Sequence, residues 1–565
     1  MASAANPLHD GQLPTSATTR PWWRTTDSAI WPLAALVLLL VLQFTLVFTR
    51  AINWDEYSYF RGVAWLADGR LDRPLQSIHT RLFAWLPGMF STSTDHIVAA
   101  RVAMFGFELV TLASIFAIAQ RFSDNRTAAF ALLAYVSAGF VLQHGTSFRV
   151  DPIATALLCS ALAILVLSPL RLLHILGFGA LAGLAPMVSI KVVLYAPAFA
   201  GLAYWRASRS GWQAAEMVRI AACGLAAALA FGAIYWLHSQ GVTGDDSPVA
   251  ASSEVLGRSR SWAFFLGVPP YWQMIIKALL TAPLMAAIIL LLPFVVRKAG
   301  LDTVTKVALL GLWLPVLCLL FYTNTAGYFY VFLFAPLAIA GIPVLRLAIE
   351  RFSSRNLALA LLAMGSLIWL TEDRSIIERQ RQVESNVQQI FPEPVAYFDH
   401  NYMLGGWPKG NGLLTPWGLE LYRLNKVPQY RMAMEEQPIP LFLANYPDLE
   451  QVITGERDDL FLREDIEALR NNYVEFAWPV WIAGKNYAGQ QSEFTDEFLV
   501  PGTYTVEEGP IGIDGVSYET GDTLEITRGT HAILVQEGTT ARLVWGANLA
   551  RPAVPIAPGP LYTDF

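Results

Sequence analysis

The chain has 565 residues, of which 54% are hydrophobic and only 15% are charged. A soluble protein carries about 25% charged residues, so this composition excludes a water-soluble globule, a coiled coil or a disordered chain for the part that lacks charge. The formal net charge of −6 gives no basic footprint for nucleic acid. Long uncharged runs fill residues 30–370, and charge returns after them. These features predict a polytopic α-helical membrane protein that continues into a soluble domain.

About eleven stretches are long and apolar enough to form transmembrane helices, which need roughly 20 such residues. The first is Ile30–Phe48, and residues 1–28 before it are expected to form a disordered cytoplasmic segment. Residues 29–371 would then form the transmembrane domain. The other ten predicted spans lie near 98–120, 127–143, 151–169, 171–187, 190–205, 217–238, 270–296, 304–322, 328–345 and 354–371.

The distribution of Lys and Arg at the ends of these spans predicts the orientation. Most basic residues fall in one set of loops, which puts the N-terminus in the cytoplasm and residues 372–565 outside. The loop 50–97 is an exception, because it carries five arginines on the outer side. Anion binding or contact with lipid headgroups would explain them. The lone glycosylation sequon, at Asn125, falls in a predicted cytoplasmic loop, which favours a bacterial inner membrane with a periplasmic soluble domain.

The soluble part divides into a linker, residues 372–395, and an external domain, residues 396–565. The external domain begins with mixed helices and strands and is predicted to be rich in strands from about residue 497. Alternating apolar residues between Gly and Asp turns favour a small antiparallel β-sandwich there. The predicted strands cover 502–506, 515–518, 523–526, 531–535 and 541–545.

Two adjacent carboxylates, Asp55 and Glu56, follow the first predicted span directly. The residues from Asp55 to Leu66 have helical spacing, and with the amphipathic segment 82–90 they predict helices that lie in the membrane interface. The carboxylates could cap the first of these helices. Alternatively, they supply a general base and a partner that orients a substrate or holds a divalent ion.

Further charged residues lie at the same predicted face of the membrane. Arg149 and Asp151 open the fourth span, where Asp151 before Pro152 also suits an ordinary helix start. Lys191 lies near the start of the sixth span and could extend to the interface. Ionisable residues inside a membrane are nevertheless candidates for function. Arg258 belongs to the long polar loop 239–269, which we interpret either as a substrate-gating loop or as a plain connector.

The motif in the first external loop resembles that of the GT-C superfamily of integral-membrane glycosyltransferases. The resemblance is closest to the branch of the aminoarabinose transferases and protein O-mannosyltransferases. The pattern Asp-Glu-x-x-Tyr … Leu-x-x-Gly of that branch is similar to Asp55, Glu56 and Tyr59 followed by Leu66 and Gly69.

Three later motifs occur in the order that the same superfamily shows. The second acidic motif resembles Arg149-x-Asp151, and the Gly-Leu-Ala … Lys element is similar to the residues that end with Lys191. An aromatic element that ends in proline resembles the segment that begins at Tyr328. Gly327 stands where the family often has a basic residue. The resemblance covers roughly residues 30–371 and depends on the order of the motifs more than on any one of them.

The resemblance implies that a sugar is transferred, with inversion, from a polyprenyl-phosphate donor to a glycolipid, glycan or protein acceptor on the external face. Asp55 would be the general base, and Glu56 would assist or orient it. A divalent metal at the acidic motifs is left open, and no other cofactor is implied. The expected substrate-binding residues are Tyr59, Arg61, Arg81, Arg149, Asp151, Lys191, Arg258 and Tyr328.

Two other functions compete with this interpretation. One is a transporter or flippase for a lipid-linked or polyanionic substrate, and the other is a scaffold that only presents the soluble domain. We find no internal repeat and expect no broken helices, both of which are common in transporters. The acidic residues also concentrate at the membrane edge and not in the middle of spans.

Overall fold

The computed structural model describes residues 29–242, 264–412, 414–489 and 493–563. Residues 1–28 and Arg258 lie outside this part of the chain. Helices dominate up to residue 390, and two further segments, Ile190–Tyr195 and Leu314–Leu320, are 3₁₀ helices. The α-helices of this part are α1 Ile30–Thr49, α2 Trp54–Ala67, α3 His79–Leu82, α4 Ser93–Phe122, α5 Asn125–Val136, α6 Gly139–His144, α7 Val150–Leu167, α8 Leu172–Val188, α9 Ala196–Arg209, α10 Ala214–Ser239, α11 Trp272–Leu280, α12 Pro283–Lys298, α13 Thr303–Trp313, α14 Phe329–Ala340, α15 Ile342–Phe352, α16 Ser354–Leu370 and α17 Ser375–Ile390.

Six helical stretches of the described residues are long and apolar enough to cross a membrane, and there are eight if two bent helix pairs are included. The chain is therefore an integral membrane protein, although this count does not reach the predicted eleven. The predicted span 127–143 is divided into α5 and α6, and the span 190–205 begins as a 3₁₀ helix. Short helical pieces of this kind are shorter than the hydrocarbon thickness.

The two bent pairs correct one expectation from the sequence. Helices α11 and α12 meet at 101°, and α14 and α15 meet at 73°. Broken helices are thus present, and their supposed absence cannot be used against a transporter. Pro283 is at the start of α12 and Gly341 separates α14 from α15, at positions where the sequence interrupts a regular helix.

The first loop also differs in part from its prediction. Helix α2 covers the predicted stretch from Asp55 to Leu66, but the segment 82–90 consists mainly of turns that follow the short α3. Pro87 and Gly88 cause the difference, since proline has no amide hydrogen to donate and Gly88 adopts a φ of 82°. The large apolar side chains of this segment are exposed at Leu82, Trp85, Met89 and Phe90.

Small residues allow the membrane helices to approach closely. A Cβ atom added at Gly183 in α8 would lie 2.7 Å from the carbonyl oxygen of Ala227 in α10, and one added at Gly179 would lie 2.7 Å from the Cβ of Ala226. Such contacts between small residues stabilise helix pairs in lipid, where apolar burial gives no driving force. At Gly232, also in α10, an added Cβ would have no described atom within 4 Å outside the backbone of its own helix.

Residues 372–563, which the sequence predicts to be soluble and which we call the soluble region, begin with α17 and continue into two sheets. The helices in it are α18 Pro416–Asn425, α19 Gln429–Glu436, α20 Pro447–Thr454 and α21 Arg463–Asn472. The strands in it are β1 Tyr397–Phe398, β2 Leu441–Leu443, β3 Tyr473–Ala477, β4 Val480–Ala488, β5 Phe494–Phe498, β6 Gly502–Glu508, β7 Ile511–Ile513, β8 Val516–Tyr518, β9 Thr523–Ile526, β10 Gly529–Leu534 and β11 Thr540–Trp545.

All five predicted strands are present, but the sheet continues further than the sequence suggested. The larger sheet has the order β1-β2-β4-β11-β6-β9, with β3 paired to β4, and the smaller has the order β5-β10-β7-β8. Strand β4 pairs with β2 and β3 at Ile482 and with β11 at Lys485. The mixed helix–strand part and the strand-rich part therefore share one sheet.

Replacing Gly183 with alanine should lower the free energy of unfolding by about 1–3 kcal/mol, because the added methyl group meets backbone atoms of α10. Gly232→Ala is the matched control, and it should leave stability unchanged or raise it by about 0.5–1 kcal/mol, since alanine is the better helix former. Thermal unfolding in detergent micelles measures both variants. Equal melting temperatures would show that α8 and α10 do not approach closely at Gly183.

Candidate active site

Helix α2 begins with a capping box that places the two predicted carboxylates. The side chain of Asn53 accepts a hydrogen bond from the amide of Asp55 at 3.0 Å, and the Asn53 amide donates to Oε1 of Glu56 at 3.2 Å. Reciprocal bonds of this type satisfy the free amides of a first helical turn. Glu56 therefore caps the helix, whereas the Asp55 carboxylate takes no part in the capping box.

Glu56 is fully buried and forms an ion pair with Arg101 of α4. Arg101 donates to both carboxylate oxygens, at 2.7 and 2.5 Å, and the amide of Phe148 donates to Oε2 at 2.8 Å. Burial alone raises the pKa of Glu56, but the charge and hydrogen bonds of Arg101, with the amides of Phe148 and Asn53, hold this pKa below its ordinary value. A buried and fully bonded Glu56 supports α2, and its side chain has no exposed surface.

Four charged side chains form a continuous row at the end of the bundle that contacts the soluble region. Arg149, the residue before α7, donates to Oδ2 of Asp55 at 2.5 Å and lies 3.7 Å from Oδ2 of Asp151. Lys191 donates to Oδ1 of Asp151 at 2.5 Å. The exposed fraction of the side chain is 25% for Asp55 and 11% for Lys191, but 3% for Arg149 and 1% for Asp151. Asp55 and Lys191 are therefore the more solvent-exposed members of this row.

Two tyrosines line this row of charges. The guanidinium carbon of Arg149 lies 3.4 Å from the ring centroid of Tyr328 and 5.5 Å from that of Tyr59. The amine of Lys191 lies 5.4 Å from the Tyr328 ring. Cations are attracted to aromatic faces at these distances, so the rings hold both cations beside Asp55 and Asp151.

The structure thus brings together six of the residues predicted for the site. These six are Asp55, Tyr59, Arg149, Asp151, Lys191 and Tyr328.

Two other predicted residues contact different parts of the protein. Arg61 stacks between the rings of Trp65 and Tyr402, at 4.2 and 3.7 Å. Arg81 donates to Nδ1 of His238 at 2.7 Å. Neither arginine makes a described contact with the row of charges. Arg258 lies outside the described residues.

The acidic residues that the structure describes form no recognisable metal site. Within the described ranges, no three His, Cys, Asp or Glu side chains lie close enough to hold a metal ion. The oxygens of Glu56 accept from Arg101, and Oδ1 of Asp151 accepts from Lys191. These oxygens already accept from cationic side chains, whereas Oδ2 of Asp151 has no described hydrogen-bond donor.

The fold is shared with a solved membrane glycosyltransferase. The crystal structure of ArnT, the aminoarabinose transferase of Cupriavidus metallidurans, bound to undecaprenyl phosphate, covers 76% of this chain and 95% of its own, with 14% identity and a TM-score of 0.53. The archaeal oligosaccharyltransferase of Archaeoglobus fulgidus, solved in the apo form, covers 88% of this chain and 76% of its own, with 13% identity and a TM-score of 0.46. No protein-family model and no curated protein matches the chain in sequence.

The comparison with ArnT confirms the GT-C resemblance at the level of the fold. The chain is a helical membrane protein of the GT-C fold with a soluble region that contains two sheets. The fold alone does not identify the substrate or the catalytic residues.

Arg101 is not among the residues that the sequence predicts for the site, because it falls within the predicted span 98–120. Its signal was a single cation in the first turns of an apolar run, the kind of residue that is costly in lipid unless it has a partner. Its partner, Glu56, had been interpreted as part of the catalytic pair. The pairing of residues 45 positions apart could not be read from local spacing.

Replacing Glu56 with glutamine should lower the free energy of unfolding by about 3–5 kcal/mol, because Arg101 would keep a buried charge without its counterion. Glu350→Gln is the matched control, since Glu350 is an exposed residue of α15. Thermal unfolding near neutral pH measures both. If Glu56→Gln and Glu350→Gln have the same melting temperature, the ion pair does not stabilise the helix.

The same pair predicts a pH dependence. The folded-state pKa of Glu56 is depressed, so its stabilising contribution is complete above the ordinary carboxyl pKa of about 4.3 and is lost as the pH falls through the folded value. The melting temperature of the wild type should therefore fall more steeply below about pH 4 than that of Glu56→Gln. If the melting temperatures of the two proteins fell equally below about pH 4, the assignment would be contradicted.

Proposed function

We propose that this protein is a glycosyltransferase that moves a sugar from a polyprenyl-phosphate donor to an acceptor at the membrane edge. The observation that carries the proposal is the partly exposed Asp55 carboxylate, held by Arg149 within a GT-C fold. The solved structure most relevant to the donor is ArnT, which was crystallised with undecaprenyl phosphate. A lipid-linked phosphate of this class is compatible with Lys191 and Arg149 beside the base.

Asp55 acts as the general base in this proposal. Oδ2 accepts from Arg149, and no described residue donates to Oδ1, which leaves Oδ1 to receive the proton of the acceptor nucleophile. The deprotonated acceptor attacks the anomeric carbon while the bond from that carbon to the phosphate oxygen breaks. The electron pair leaves with the polyprenyl phosphate, and the configuration at the anomeric carbon inverts.

The leaving phosphate requires positive charge that is already in position. Lys191 is the more exposed of the two cations in the row, and we assign it to the phosphate oxygens. Arg149 keeps Asp55 oriented and adds a second positive charge. Because Asp151 bonds Lys191 and approaches Arg149, it sets the distance between the two cations.

The topology is part of the same proposal. The N-terminus would lie in the cytoplasm and the soluble region in the periplasm of a bacterial inner membrane, as the loop charges predict. The acceptor is a glycolipid, a glycan or a protein of that compartment. Glycan analysis of the envelope from a strain without this protein should reveal which class loses a sugar.

Asp55→Asn should lower sugar transfer by about 10²–10⁴-fold, which is the usual contribution of a general base. The affinity for undecaprenyl phosphate should change little, since the cations are retained. Asp68→Asn is the matched control, because Asp68 ends the same helix and is exposed. Purified variants are assayed with a panel of radiolabelled polyprenyl-phosphate sugars and a membrane extract as acceptor.

Two outcomes would contradict this proposal in different ways. If Asp55→Asn transfers sugar at the wild-type rate, another residue must be the general base. Wild-type protein that translocates labelled lipid in vesicles but forms no glycosylated product would be a transporter.

A further inference from the structure

The backbone that leads into Asp55 is bonded on one side by the membrane helices. We call residues 50–56 the Asp55 segment. Arg101 donates to the carbonyl oxygens of Arg50 and Ala51, at 2.8 and 2.9 Å, in addition to its bonds to Glu56. The segment therefore has a fixed anchor on α4.

On its other side, the Asp55 segment is bonded by the soluble region. Gln380 of α17 is fully buried. It accepts a hydrogen bond from the amide of Ile52 at 2.9 Å, and its own amide group donates to the carbonyl of Ile52 at 2.8 Å and to that of Leu561 at 2.7 Å. One side chain thus binds both backbone groups of a residue three positions before Asp55.

A second contact from the soluble region reaches the residue directly before Asp55. The side-chain amide of Asn401 donates to the carbonyl of Trp54 at 2.8 Å. The Trp54 ring also meets the rings of His400, Tyr446 and Tyr562 edge-on, with centroids 5.7, 5.9 and 6.2 Å away. Edge-to-face contacts of this type fix ring orientation.

We propose that Gln380 and Asn401 are positioning residues, through which the soluble region fixes the backbone that carries Asp55 and so sets its carboxylate against Arg149. This inference rests on the proposed function. Each backbone carbonyl from Arg50 to Trp54 accepts a hydrogen bond from the protein. The one not yet described is the carbonyl of Asn53, which accepts from the amide of Glu56 at 2.9 Å. The soluble region supplies two of these donors, so the catalytic geometry depends on residues more than 300 positions away in the sequence.

Gln380 differs from the neighbouring residues that only dock α17 on the membrane helices. Arg381 donates to Oδ1 of Asp95 in α4 at 2.8 Å and makes no described contact with the Asp55 segment. Gln382 is exposed on the same helix. Loss of the Gln380 amide would leave the carbonyl of Ile52 without its donor in a buried site, where an unsatisfied group is costly. The backbone of the Asp55 segment would then shift from its position in the wild type.

The test is Gln380→Met, which keeps the length of the side chain and removes its hydrogen bonds. We expect kcat for sugar transfer to fall by about 10–100-fold, since a misplacement of about 1 Å can cost 10²-fold. The dissociation constant for undecaprenyl phosphate should stay within about 3-fold of wild type, because the cations do not move. Arg381→Met and Gln382→Met are the matched controls and should transfer sugar at the wild-type rate.

A double variant distinguishes positioning from a general loss of structure. If Gln380 acts through Asp55, Asp55→Asn combined with Gln380→Met should be no slower than Asp55→Asn alone. Hydrogen exchange supplies a readout that does not depend on activity, and the amide of Ile52 should exchange faster in Gln380→Met but not in Arg381→Met. The inference would be overturned if the two substitutions lowered kcat multiplicatively in the double variant. It would also be overturned if the Ile52 amide of Gln380→Met exchanged at the wild-type rate.

The outcomes also separate this inference from the proposed function. Wild-type protein without any sugar transfer would refute the proposed function. Wild-type transfer together with full activity of Gln380→Met would refute only the positioning role. Should Gln380→Met fail to fold, Asn401→Ala removes the second contact, and it must show the same loss of kcat with retained lipid-phosphate affinity.

Discussion

The buried ion pair between Arg101 and Glu56 is the interaction on which the rest of this site depends. The desolvation free energy of this pair is high, because both charged groups are removed from water. It is offset by four hydrogen bonds from one guanidinium, two to Glu56 and two to backbone carbonyls. A charge pair of this kind is weak evidence for stability but a strong constraint on geometry. It fixes where α2 begins and therefore where Asp55 lies.

The row of charges that follows alternates in sign, and this alternation explains how four ionisable groups can share a small volume. Asp55, Arg149, Asp151 and Lys191 each have an opposite charge as nearest neighbour. Removal of Arg149 would take away the described counterion of Asp55, and removal of Asp151 would take away that of Lys191. Lys191 has a carboxylate partner and some exposure, so an incoming phosphate would exchange one anion for another, which costs less than stripping water from a lone cation.

The sequence predicted the part of the site that depends on position along the membrane helices. Asp55, Arg149 and Lys191 follow or begin apolar runs, and residues at the same ends of packed helices come together. The supporting contacts were not predictable, because Arg101 and Gln380 pair with residues 45 and 328 positions away. The predicted number of spans is not confirmed, since tertiary packing stabilises short and bent helices that length and hydropathy alone do not resolve.

The arginines of the first loop show how the soluble region changes the interpretation of a membrane sequence. The sequence suggested two explanations for arginines on the outer side of the membrane, namely anion binding and contact with lipid headgroups. Arg50 instead pairs with Glu372 at 3.3 Å, at the boundary between α16 and α17, and Arg61 stacks on Tyr402. At least two of these arginines therefore join the first loop to the soluble region. Each bond from the soluble region limits how far the loop that carries Asp55 can move.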